Sequence, residues 1–180
     1  MPRLLLAVTA ALFCAPGPLP AQTLSQGERD RAMSELHATR KALIDLVSAA
    51  SPAQLRFKPA PDVWSIAEIA EHIVLSESLI PKMATSALAA ADSEMVKQAA
   101  GKDQAVLTQV PVRDQKFKAP ESLIPRKTYP NSKALVAAFR LARDTNIAYL
   151  RETKDPLRAH AIQHPALGPI DCYQVYLLLA

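Results

Sequence analysis

Trp64-Ser65-Ile66-Ala67-Glu68-Ile69-Ala70-Glu71-His72-Ile73 reads as the opening of an α-helix. Ser65 stands where an N-cap hydroxyl accepts from the N–H of Glu68, and the Glu68 carboxylate can return to the N–H of Ser65. Trp64 and Ile69 occupy the two flanking positions of a hydrophobic staple. Local chemistry then sets the entry angle and the rotation of this helix, so His72 on its second turn projects in a defined direction. Ile66, Ile69, Ala70, Ile73, Val74 and Ile80 carry the apolar stripe onward, while Leu75 and Leu79 extend it to another side. A helix apolar on more than one side suits the inside of a bundle. Pro81 is expected to kink or end it. Ala-rich helix then resumes as far as about Ala100, with Gly101 as its C-cap.

Upstream, Ser25 and Glu28 form a second capping-box pattern. Met33, Leu36, Leu43, Val47 and Ala50 recur behind it at helical spacing, and Ser51-Pro52 stops the helix. Leu55 to Asp62 reads as a stiff connector, because each proline pushes the preceding residue toward extended backbone. Downstream, Lys102 to Pro130 shows neither helical nor alternating pattern and is broken by Pro111, Pro120, Pro125 and Pro130, so it is expected to be one long loop. Asn131 or Ser132 caps a third long helix with Leu135, Phe139, Ala142, Asn146 and Leu150 on one face, ending near Thr153. A second irregular segment holds His160, His164 and Gly168-Pro169, and Asp171 then caps a fourth helix from Cys172 to Ala180. No strand alternation is evident.

The fold class expected is therefore all-α, an up-down four-helix bundle with a long loop between helices 2 and 3 and a short or incomplete fourth helix. Nine residues of helix span about 14 Å, roughly half or less of the reach of the other three. Either the chain is truncated in that helix or something else completes the bundle. The apolar groove so left points to a homo-oligomer, since large exposed apolar patches mark interfaces.

Met1 to Ala21 has the layout of a secretory signal peptide: Arg3, an apolar run from Leu4 to Phe13, then a Pro/Gly-broken stretch ending in Ala21-Gln22. The protein is expected in the periplasm or outside the cell, as one domain over residues 22–180 with no transmembrane anchor. Cys14 leaves with the leader, so Cys172 has no partner for an intramolecular disulfide and reads as a small buried hydrophobe. The net charge of +4 is modest, and its excess gathers at Lys102, Arg113, Lys116, Lys118, Arg126, Lys127 and Lys133. Aromatic residues do not interleave with them, so nucleic acid is not an expected partner. With only Gly27, Gly101 and Gly168 beyond the leader, no glycine-rich phosphate loop can be built.

The segment Trp64–Ile73, preceded by Leu55-Arg56-Phe57-Lys58-Pro59, resembles the DinB-like superfamily. Tyr129-Pro130-Asn131-Ser132 with Ala138-Phe139-Arg140, and His164-Pro165-Ala166-Leu167-Gly168-Pro169, fit the same pattern. The resemblance runs from about Ser25 to Ala180. It implies an up-down four-helix bundle with a divalent-metal site, zinc or nickel, in which the helix-2 histidine falls on His72. The family's other two ligands, histidines four apart on the last helix, have no match here. Such a three-nitrogen site leaves coordination open for water or substrate, whereas one histidine is a weak monodentate contact.

His160 and His164 are read as loop histidines, exposed or bonded to backbone, and His37 as a solvated residue on the polar side of the first helix. Two functional classes follow. One is an exported metal-dependent enzyme of thiol-transferase or hydrolase type, its substrate unknown, with His72 as a ligand. The other is a non-catalytic or truncated helical binding domain that lacks a complete metal site.

Overall fold

The computed structural model describes residues 23–90, 92–112 and 117–180. The expected leader, Met1 to Ala21, and the basic residues Arg113 and Lys116 lie outside them. Helix α1, Gln26–Ala49, starts at the Ser25–Glu28 capping box. A short helix α2, Pro52–Arg56, follows a box formed by Ser51 and Gln54, with the proline at its start as helices favour; its last two residues, Leu55 and Arg56, take up the beginning of the connector expected to be extended. Helix α3, Ile66–Ala87, opens at Ser65–Glu68 as expected.

Pro81 neither ends α3 nor leaves its backbone orphaned. Its missing N–H frees the carbonyl of Glu77, and the Asn146 amide donates to that oxygen at 3.0 Å. The helix runs on to Ala87. After a break, α4, Ser93–Ala99, is capped by Asp92, and Gly101 follows at φ 76°, the left-handed position a helix end favours for glycine. Helix α5, Asp103–Gln109, corrects the expectation of unbroken loop from Lys102. It is two turns long with Val106 as its buried residue, too little periodicity to be read among the prolines that follow. Helix α6, Ser132–Glu152, is capped by Asn131.

The segment expected to be irregular before the last helix is an antiparallel hairpin of β1, Ala161–His164, and β2, Gly168–Asp171. The fold is thus mostly helical, as expected, with the addition of a small two-stranded sheet. Ile162 opposite Ile170 forms the inward pair, and Gly168 turns the chain at φ 68°. Strand β2 delivers Asp171, whose carboxylate accepts from Gln174 N–H at 2.7 Å and opens α7, Cys172–Leu178.

Two apolar cores fill the interior. One is built from α7, the hairpin pair, Val106 of α5 and the facing ends of α1, α3 and α6, including Leu36, Ala84 and Leu150. The other joins Ile44 and Val47 of α1, Leu55 of α2, Ala70 and Val74 of α3, and Leu135 and Phe139 of α6. Helix α7 belongs only to the first. It runs antiparallel to α3: the Cys172 thiol lies 3.5 Å from Ala84 O, and at the other end Leu179 O meets the guanidinium that also grips Glu77.

A buried polar layer separates the two cores. Arg143 Nε and Nη2 donate to Glu77 Oε1 at 2.9 and 2.5 Å. Nη1 donates to Leu36 O and Thr39 Oγ1, and Asn146 reaches Glu77 Oε2 at 2.7 Å. At the far end of the first core, Arg158 binds Glu28, Asp103 and Asp171 while lying 4.0 Å over the Tyr173 ring. That cluster ties α1, α5 and the start of α7 together. Among the described residues no helix is long and apolar enough to cross a membrane.

Candidate functional site

His72 sits on the second turn of α3, beside the core that α7 does not reach. Five residues separate it from Glu77, so it lies about 7.5 Å nearer the start of α3 than the level at which Leu179 ends against Arg143. Its surroundings are built by the capping box. Glu68 N–H donates to Ser65 Oγ at 3.3 Å and Ser65 N–H to Glu68 Oε2 at 2.8 Å, which fixes the helix start. The Trp64 ring then lies beside His72, with centroids 5.1 Å apart and planes tilted by 49°. Ile69, the expected partner of Trp64 in the staple, is 46% exposed.

The His72 ring is half-buried, and Nδ1 is 2.8 Å from Leu123 O. A carbonyl can only accept, so Nδ1 carries the proton. In the neutral ring Nε2 is then the nitrogen with the lone pair. No hydrogen-bond partner for Nε2 is found among the described residues. A metal-binding histidine has this arrangement: one nitrogen anchored to a carbonyl, the other offered as a donor.

Glu71, one residue before it, is buried and holds the same loop. Oε1 accepts from the N–H of Arg126 and of Thr128, each at 3.1 Å, and Oε2 accepts from Lys127 N–H at 2.9 Å. Burial pushes this carboxyl up, but the Thr128 hydroxyl and the three main-chain N–H groups outweigh it and leave it below the ordinary glutamate value. Lys127 adopts a left-handed conformation, φ 59°, to bring its N–H into the cradle. Sequence reading missed Glu71. Its signal is position: Glu71 lies in the buried face of α3 beside Ala70 and Val74, where a charge needs partners.

The remaining candidates are accounted for elsewhere. His37 is exposed on α1. His160 Nδ1 lies 2.9 Å from Ala90 O. His164 Nδ1 accepts from Ala166 and Leu167 N–H in the hairpin turn, and burial lowers the tendency of this ring to take a proton. Cys172 is buried and its thiol is pushed up to about 12 by burial and by Asp171, which makes it inert as a nucleophile.

The structure therefore brings no second histidine to His72. Among the described residues no group of three His, Cys, Asp or Glu could hold a metal ion. The orientation of His72 fits a ligand; the donors among the described residues do not make a site. The apolar space beside this core is small. A gap of about 10 Å³ lies among Leu43, Ala70, Leu135 and Phe139. An open groove of about 440 Å³ crosses Leu46, Ala50, Phe57 and Ile66.

A family model described as the DinB superfamily matches residues 35–180. No curated protein and no solved structure matches the chain.

Proposed function

The chain belongs to the DinB superfamily, and we propose on that premise that it is an exported domain in which His72 presents Nε2 as one ligand of a divalent zinc or nickel ion. In this reading α1, α3, α6 and α7 are the four helices of the family's bundle, and the further donors come from outside the described residues. Bound metal of this kind acidifies a coordinated water or activates a thiol, so the reaction class is hydrolysis or thiol transfer. The observation that carries the reading is the 2.8 Å contact of Nδ1 with Leu123 O, which leaves the other nitrogen as the donor.

The same donor count favours a second reading, a non-catalytic helical binding domain, and one experiment separates the two. Trp64 is the sole tryptophan and touches His72, so Ni²⁺ held at Nε2 should quench its emission. Saturable quenching by Ni²⁺ that disappears in His72→Ala supports the ligand role. Quenching that survives His72→Ala, or none at millimolar Ni²⁺, leaves the binding-domain reading standing.

A further inference from the structure

Glu71 and His72 are consecutive residues of α3 that hold different parts of one loop. Glu71 gathers the N–H groups of Arg126, Lys127 and Thr128 on its two oxygens. Three successive main-chain donors converge in this way only when the chain turns back on itself, which Lys127 does at φ 59°. A lysine holds that conformation only where its surroundings impose it. A few residues upstream, the 3₁₀ turn Glu121–Leu123 ends in the carbonyl that accepts from His72.

We propose that Glu71 is the positioning residue for His72: by clamping residues 126–128 it holds the Leu123 carbonyl against Nδ1, and so decides which imidazole nitrogen bears the lone pair. An imidazole without a fixed acceptor exchanges its proton between the two nitrogens and samples both ring flips, so its donor nitrogen is offered only part of the time. The clamp removes that freedom before any ion arrives. Outer partners of a ligating histidine commonly act in this manner, and losing one weakens metal binding about 10- to 100-fold. Here the partner is the main-chain carbonyl of a loop, and the carboxylate acts one step further out. The significance for binding rests on the proposed role of His72 as a ligand; the tautomer itself does not.

The test uses the full chain without metal, with ¹⁵N-labelled histidine, and reads the His72 tautomer by long-range proton–nitrogen correlation at a pH where the ring is neutral. The wild type is expected to show a protonated Nδ1. Glu71→Ala should lose that signature and shift His72 to a mixture with protonated Nε2, while Glu68→Ala, which weakens the capping box without touching the loop, should keep it. An unchanged tautomer in Glu71→Ala overturns the proposal, as does an equal shift in Glu68→Ala.

If Glu71→Ala does not fold, Glu71→Gln carries the test, because its amide must face at least one main-chain N–H of the cradle. A folded Gln variant with the wild-type tautomer is equally decisive against. Ni²⁺ quenching of Trp64 is read alongside and should weaken about 10-fold or more in Glu71→Ala. No Ni²⁺ response in the wild type, with the tautomer shift present, sinks the ligand role and leaves the positioning role intact. A normal response with no tautomer shift does the reverse.

Discussion

Arg143 of α6 draws three other helices to one guanidinium: Glu77 of α3, Leu36 O and Thr39 of α1, and Leu179 O at the end of α7. The group is 2% exposed and so is Glu77. A pair this deep gains little net energy over apolar side chains of similar shape, yet breaking it strands a charge. Arg143→Met should therefore cost about 3–5 kcal/mol in urea unfolding at pH 7, and adding Glu77→Leu should return much of it. Burial pushes the Glu77 carboxyl up, against the pull of Arg143 and Asn146, to a net raised value. A raised carboxyl is at ease below its unfolded value and costs stability as pH rises through the folded one. The Arg143→Met penalty should accordingly shrink between pH 7 and pH 4. Both residues stand on the apolar stripes of their helices, Glu77 after Ala70 and Val74, Arg143 between Phe139 and Asn146. Charge alone marks them as solvent-facing, and Ala142 was the stripe position expected instead; spacing was the truer signal.

Among the elements, helix starts were legible because each is written within a few residues. Ser25, Ser65, Asn131 and Asp171 all cap where expected. The hairpin and α5 were not, because a four-residue strand such as Ala161–His164 and a two-turn helix with one buried residue carry too few repeats of any period. They are held by distant partners, above all Arg158 on Asp103 and Asp171. The capping boxes also predict an acid response. Glu68 is lowered chiefly by the Ser65 N–H. In Glu28 burial works upward, but the Ser25 hydroxyl and N–H and Arg158 prevail and lower it. Lowered carboxyls add stability above their unfolded value, ordinarily 4.5, that is lost as pH falls through the folded value. Glu28→Gln/Glu68→Gln, which keeps the box geometry, should flatten the fall in urea midpoint below about pH 4.5. A fall as steep as the wild type's would assign it to other carboxylates.

At the scale of the whole molecule, the two cores divide the helices: α7 serves one of them and leaves the other to α1, α2, α3 and α6. The sequence could not say that a buried ionic layer stands between them, since its members lie far apart in the chain. We expect export with cleavage before Gln22, read by N-terminal sequencing, and sedimentation as a dimer through the apolar surface near Leu46 and Phe57, which are 54% and 67% exposed. A monomer at high protein concentration would contradict the pairing. Pro81 has a wider effect than its local one. By withholding an N–H it turns the Glu77 carbonyl outward to Asn146, exchanging a bond within one helix for a bond between two. Ordinary helices can fray turn by turn; here the middle of α3 cannot loosen without disengaging α6. The proline thus makes the two helices open as one cooperative unit, and couples the fate of positions 81 and 146: a change at either alters what the other is for.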